Sequence, residues 1–270
     1  MPDSLSPELS TRWTFARDVA RAAGQHTLQY FQRGVTVERK SDHSPVTIAD
    51  REAEQLARRS IQAAFPHDAI LGEEFGEVPG TSGYRWIIDP IDGTKSFIAG
   101  VPLYSTLLGV EHEGRSVVGV IYLPALGEGV HAARGGGAWY FSGQQREVPA
   151  RVSTRERLRD GIFVTSQVDS FAKRGASDAF HQLEQAAYVT RTWGDGYGYL
   201  LVATGRADVM VDPGMFLWDA AAIQPVLEEA GGTFTDWRGE STISAGEGIA
   251  TNGLMLEEVL AITRQSPRLS

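Results

Sequence analysis

The run Tyr84-Arg85-Trp86-Ile87-Ile88 reads as an interior strand, and it stops abruptly at Asp89-Pro90-Ile91-Asp92-Gly93-Thr94. Two carboxylates projecting from the end of a strand form a hard, oxygen-rich site that suits Mg²⁺ or Mn²⁺ better than zinc. Gly93-Thr94 leads into a segment able to start a helix, where free backbone N–H groups would face an anion. A divalent metal beside an anion cradle is the arrangement used for metal-assisted phosphoryl chemistry. The same residues also suit a plain turn, since Asp, Pro and Gly dominate turns.

Periodicity extends this start into a fold. Residues 11–32 read as an amphipathic helix with Phe15, Val19, Ala22, His26 and Tyr30 on one face. Val35–Lys40 reads as a strand and residues 50–64 as a helix with Ala53, Leu56, Ala57, Ile61 and Ala64 inside. Ala69-Ile70-Leu71-Gly72-Glu73-Glu74 is a short strand ending in paired acids. Ser105–Glu111, Ser116–Tyr122, Gly129–Ala133 and Ala138–Phe141 are β-rich runs spaced as an antiparallel meander. After about residue 150, strands and helices alternate: 161–165, 177–187, 188–193, 196–204, 207–211, 218–230 and 233–235. This pattern predicts an α/β (α+β) protein with an N-terminal lobe over 1–150 and an α/β lobe over 151–270.

A chain of 270 residues with 42% hydrophobic and 22% charged residues can bury a large core. The formal net charge of −9 and the lack of a Lys/Arg cluster argue against nucleic acid and against an anionic membrane surface. With no cysteine, disulfides, thiolate zinc sites and cysteine nucleophiles are excluded. The N-terminus does not read as a signal peptide, and no apolar run approaches the roughly 18–20 residues of a membrane span. The expectation is a soluble cytoplasmic protein. The six histidines are scattered, and Trp13, Trp86 and Trp139 read as core.

Further acids share the context of the Asp89/Asp92 pair: Asp50 after Thr47-Ile48-Ala49, Glu73 and Glu74 after Gly72, and Asp219 in Leu217-Trp218-Asp219-Ala220-Ala221. Asp50 and Asp219 equally suit helix caps. Taken together, the Asp-Pro-Ile-Asp-Gly-Thr signature, the Gly-Glu-Glu strand end, Lys40, Thr47 with Asp50, and Trp218-Asp219 with its alanines resemble the inositol monophosphatase family of Mg²⁺-dependent, lithium-sensitive phosphatases. The resemblance runs from about residue 11 to 255. Ser96 departs from the Asn that many members carry.

The resemblance implies a layered αβαβα sandwich, commonly assembled as a homodimer. It implies one metal held by Glu73, Asp89 and the Ile91 carbonyl, a second by Asp89, Asp92 and Asp219, and a weaker third near Glu73. Thr94 and Glu73, with Asp50, would activate the attacking water, and the Gly93 and Thr94 amides would bind phosphate. Lys40 would add charge near the loop over the metals.

Haloacid-dehalogenase phosphatases share an Asp-rich motif, but theirs has one residue between the aspartates, where this chain has Pro90 and Ile91. A non-catalytic sensor of a phosphorylated ligand is the alternative of a different class. Gly194-Asp195-Gly196-Tyr197-Gly198 lacks the G-x-G-x-x-G spacing of a nucleotide loop. In the form Trp193-Gly194-Asp195-x-Tyr197-x-Tyr199 it is similar to the histidinol-phosphate phosphatases of the same superfamily. Asp195 and Asp212 would then pair with a cationic substrate and Tyr197 would stack on its ring, with Arg191 at the segment's start. Asp195 equally suits a cap of the next helix. The expected partner is a small phosphorylated metabolite: histidinol phosphate first, then inositol monophosphate, then a sugar or adenosine bisphosphate.

Overall fold

The computed structural model describes residues 5–269. In chain order the elements are α1 (Pro7–Thr27), β1 (Glu38–Arg39), β2 (Pro45–Val46), α2 (Ile48–Ala64), β3 (Ala69–Gly72), β4 (Gly76–Val78), β5 (Tyr84–Asp92), α3 (Thr94–Ile98), β6 (Ser105–His112), β7 (Arg115–Leu123), β8 (Glu128–Ala133), β9 (Gly137–Ser142) and β10 (Val148–Pro149). They continue as β11 (Ile162–Val164), α4 (Val168–Lys173), α5 (Ser177–Ala186), β12 (Val189–Arg191), α6 (Gly196–Ala203), β13 (Val209–Asp212), α7 (Leu217–Glu229), β14 (Thr233–Thr235), β15 (Gly248–Thr251) and α8 (Leu256–Thr263).

Eight strands form one sheet in the order β10-β9-β8-β7-β6-β5-β3-β4, and five form another in the order β12-β11-β13-β15-β14. The run from β5 to β10 is the antiparallel meander expected, while β3 lies parallel to β5. In the second sheet β11 is parallel to both β12 and β13. Helices α1 and α2 cover one face of the first sheet. Helices α6 and α7 lie between the two sheets, joined in one core with Leu107, Ile121, Val164, Met210 and Phe234. Helices α4, α5 and α8 close the far face of the second sheet around Phe163, Phe171, Phe180 and Trp237. The result is a layered αβαβα sandwich.

Helix α7 approaches the first sheet closely because β7 presents Gly119 to it. A Cβ at Gly119 would overlap the Ala222 carbonyl. The alanines Ala220, Ala221 and Ala222 complete this small-residue seam, all buried.

Helix α1 differs from the expected 11–32. It starts at Pro7, capped by the Ser6 hydroxyl at 3.2 Å from the Leu9 N–H. It ends at Thr27, because Phe31 leaves the helix to pack on Phe97 and Tyr104. Its buried stripe is Ala16, Val19, Ala20, Ala23, Gly24 and Thr27 rather than one through Ala22, which is exposed. Small residues win that stripe because Gly24 lies against the Tyr122 ring. Of the strand expected over Val35–Lys40, only Glu38–Arg39 pairs, with Pro45–Val46. Trp86 is core, whereas Trp13 and Trp139 are half-buried.

Candidate active site

The site begins with a break in strand register. Along β5, Asp89 opposes Leu107 and Asp92 opposes Ser105, so three steps on β5 match two on β6. Residues three apart on a regular strand face opposite ways. The bulge absorbs one residue and turns both aspartates to the same side. Pro90, which cannot donate to a ladder, sits inside it, and its carbonyl accepts from the Thr106 hydroxyl at 2.9 Å.

Asp219 reaches the same point from α7. It is the third residue of the helix, and its Oδ2 accepts the Phe216 N–H at 2.6 Å. Asp89, Asp92 and Asp219 each bring a carboxylate oxygen within 4.8 Å of the other two. Burial, then Glu73, Asp92 and Asp219, push the Asp89 carboxyl well above the usual range. Burial, Asp195 and Asp219 do the same to Asp92, against hydrogen bonds from the Ser105 hydroxyl and the Gly196 N–H, both 2.6 Å. Asp219 is pushed up to about 7, chiefly by burial. Three oxygen donors that repel one another in this way fit a hard divalent cation, which would relieve the repulsion.

Glu73 stands beside this triad. Its Oε1 accepts from Lys40 Nζ at 2.6 Å, and the same ammonium reaches Glu74 Oε1 at 2.6 Å. Burial draws the Lys40 pKa down, but the bonds to Glu73 and Glu74 outweigh it and the net shift is upward. Glu74 is raised to about 7, mainly by burial. The Thr94 hydroxyl lies 3.0 Å from the Ile91 carbonyl and 3.4 Å from Asp50 Oδ1. Asp50 is not a cap residue proper. Thr47 is the N-cap of α2, and Asp50, three residues on, accepts both its N–H and its hydroxyl on Oδ2. Gly93 has φ 83°, and a Cβ there would press on Asp195 Oδ2. The first-turn N–H groups of α3 have no intrahelical acceptor.

A cavity of about 250 Å³ opens from the triad, lined in part by Asp92, Lys95, Asp195, Tyr199, Asp212 and Asp219. Asp195 precedes α6 but makes no side-chain cap hydrogen bond. Asp212 accepts from the Ser166 N–H and hydroxyl and from the Tyr199 hydroxyl, at 2.9, 2.8 and 2.9 Å, and burial still raises it to about 6. Two expected contacts lie elsewhere. Tyr197 packs on the core with the Arg206 guanidinium 5.9 Å from its ring, because helical spacing turns Tyr199 into the cavity instead. Arg191 is exposed at the end of β12, near the Trp193 ring.

The inositol monophosphatase family model matches residues 8–268. The chain belongs to the inositol monophosphatase family. This family member is 44% identical to a histidinol-phosphatase of Chlorobaculum parvum, over 95% of this chain and 96% of that protein. It is 38% identical to a histidinol-phosphatase of Streptomyces coelicolor, over 98% and 99%. A solved IMPase of Thermotoga maritima matches with a TM-score of 0.83 at 31% identity, over 94% of this chain and 97% of that one. The chain is a phosphomonoester hydrolase of a metal-dependent family.

For this inositol monophosphatase family member, sequence reasoning passed over several residues around the site. Glu54, fully buried on α2, accepts the backbone N–H groups of Glu74 and Phe75 at 2.7 and 3.2 Å and pairs with Arg58 at 2.7 Å. A Cβ at Gly72 would collide with that carboxylate. The signal was present: Glu54 and Arg58 are spaced i, i+4 amid the apolar face of Ala53, Ala57 and Ile61. Lys95, Ser105 and Ser166 were also passed over, and Tyr199 was named in its segment without a role. Single polar residues next to a motif carry no periodic signature.

Proposed function

We propose that this chain is a Mg²⁺-dependent phosphatase that hydrolyses L-histidinol phosphate, a cationic phosphomonoester, to histidinol. The observation that carries the reading is the pair Asp195 and Asp212 on the cavity wall, next to the Asp89, Asp92 and Asp219 triad. The ammonium and imidazole of such a substrate gain from two nearby carboxylates, whereas a neutral polyol gains less. The names of the two relatives above support the same choice.

In this reading Asp89, Asp92 and Asp219, with Glu73 and the Ile91 carbonyl, hold two or three Mg²⁺ ions, with Mn²⁺ as a substitute. When bound, the ions supply charge neutralisation for the phosphate and lower the pKa of water. Thr94 passes its hydroxyl proton toward Asp50 while accepting one from the attacking water. The Gly93 and Thr94 amides hold the phosphate oxygens, and Lys40 fixes Glu73. The water oxygen bonds to phosphorus as the P–O ester bond breaks; the ester oxygen leaves with the bonding electrons and takes a proton from solvent water, Asp50 returns its proton to solvent, and no phosphorylated side chain forms. The reading extends to lithium inhibition, to a cytoplasmic homodimer, and to two lobes divided near residue 150, where the chain leaves the first sheet after Pro149 and enters the second at Ile162.

The test is a substrate panel. Histidinol phosphate should give a higher kcat/KM than inositol 1-phosphate, and Asp195→Ala should cost the former about 1.5–3 kcal/mol while sparing p-nitrophenyl phosphate. A wild-type preference for inositol 1-phosphate overturns the substrate and leaves the phosphatase. The likeness to the Thermotoga maritima IMPase makes inositol 1-phosphate the second reading.

A further inference from the structure

The catalytic cavity is lined by two unlike sets of residues. Asp195, Asp212 and Ser166 offer carboxylates and a hydroxyl. Met215, Phe216 and Ile223, from the entry and first turns of α7, are apolar. Ile223 is buried, but Phe216 is 58% exposed. A single exposed Phe is ordinary on a protein surface. This one stands at a cavity dominated by carboxylates, beside the triad.

Its placement is fixed twice. The Phe216 N–H donates to Asp219 Oδ2 at 2.6 Å, which ties the residue by its backbone to a carboxylate of the triad. The ring stacks on Trp218, with centroids 4.9 Å apart and planes 19° from parallel. An indole thus supports the ring from one side, and the open surface is the rest of it. The other aromatic side chain that lines the cavity is Tyr199. It is 2% exposed, and its hydroxyl donates to Asp212 Oδ2 at 2.9 Å, so it holds that carboxylate and has no face to offer. Tyr197 lies on the core. Among the described residues that line the cavity, Phe216 alone presents an open aromatic surface.

We propose that Phe216 is a specificity-determining residue, the platform on which a flat ring in the alcohol portion of the ester stacks. This rests on the reading of histidinol phosphate as substrate, whose imidazole takes that place while its ammonium meets Asp195. A neutral imidazole stacks on the phenyl ring, and an imidazolium adds the attraction of a cation for the ring face. Because Trp218 holds the platform before substrate arrives, little side-chain freedom is lost on binding. Inositol 1-phosphate has no flat face to match it.

Ratios of kcat/KM on the full-length Mg²⁺-loaded enzyme test this, because the active fraction of a preparation cancels in them. Benzyl and cyclohexylmethyl phosphate differ in carrying a flat or a puckered ring. Their ratio should fall about threefold to tenfold in Phe216→Leu, the usual worth of an aromatic pair, and stay within about twofold of wild type in Phe216→Tyr. Histidinol phosphate and ethanolamine phosphate both carry an ammonium, and only the first has a ring; their ratio should fall by a similar factor. A merely structural role would lower all four rates together, and unmoved ratios overturn the proposal. A fall in the benzyl ratio alone places the imidazole elsewhere and overturns it too. If wild type prefers inositol 1-phosphate to histidinol phosphate, the substrate reading falls, and the benzyl ratio still decides whether Phe216 receives a flat ring. If histidinol phosphate is preferred and neither ratio moves in Phe216→Leu, the substrate stands and the platform does not.

Discussion

Glu54 Oε2 accepts the Glu74 backbone N–H at 2.7 Å, so a buried carboxylate on α2 pins the chain directly after Glu73. The same side chain fills the space that a Cβ at Gly72 would need and balances Arg58. Glu54→Gln keeps the shape but removes the charge facing a buried guanidinium. Breaking one half of a buried pair costs about 3–5 kcal/mol. The variant is expected to melt at a markedly lower temperature and, where it stays folded, to bind Mg²⁺ more weakly through a loosened Glu73. Unchanged melting and unchanged metal affinity by titration would remove Glu54 from this role.

Metal removal gives the second expectation. The carboxylates of Asp89, Asp92 and Asp219 cluster with no side-chain cation in the triad. Exhaustive chelation should abolish phosphatase activity, and Mg²⁺ should restore it. Full activity in chelator, with residual metal checked by elemental analysis, would contradict the reading.

Binding and proton transfer are separable at this site. Asp92→Asn removes one anionic donor, so the Mg²⁺ concentration needed for half-maximal rate should rise. Thr94→Ala leaves the triad in place and should lower kcat by about 10²–10⁴, the usual worth of general acid–base assistance. Metal titrations of the two variants distinguish them. A Thr94→Ala enzyme with wild-type kcat at saturating Mg²⁺ would show that Asp50 and Thr94 do not relay the proton.

Stability should depend on pH in a direction set by the triad. Asp89, Asp92 and Asp219 have folded pKa values above the ordinary carboxylate value, Asp219 near 7. The unfolded chain ionises them near pH 4, so their contribution to metal-free stability is full below about pH 4. It is lost as pH rises through the folded values. Bound Mg²⁺ needs the deprotonated forms and so stabilises more at higher pH. The melting-temperature gap between Mg²⁺-loaded and chelated protein should therefore widen from about pH 5 to about pH 7.5. A constant gap would mean that these carboxylates do not titrate with the metal.

Much of the layering was legible because it rests on periodicity. The meander from Ser105 to Phe141 shows as β-rich runs divided by glycines, the helix at 48–64 as spaced apolar residues and the helix at 217–229 as an alanine-rich run, and the structure moves their ends by only a residue or two. Strand β15 and helix α8 were not read. Gly248-Ile249-Ala250-Thr251 is short and fully buried, with no alternation to reveal it. In the site, the acids announced themselves by standing at the ends of apolar runs. The bulge at Pro90 did not, because register is a property of two strands together. Tyr197 and Tyr199 look interchangeable in sequence, and only the rotation of α6 decides that Tyr199 meets Asp212.

The seam between Gly119 and the alanines of α7 has a consequence for synthesis of the chain. Asp89 and Asp92 are made early, but the third carboxylate comes on a helix that docks only after residues beyond 217 exist. Such long-range closure is among the later and slower contacts a chain forms. Fragments ending before α7 carry the strand-end aspartates without the third carboxylate or the helix that covers that face of the sheet. Under the proposed metal set, hydrolytic competence is expected only with the last quarter of the polypeptide, and shortened products are expected to lack it.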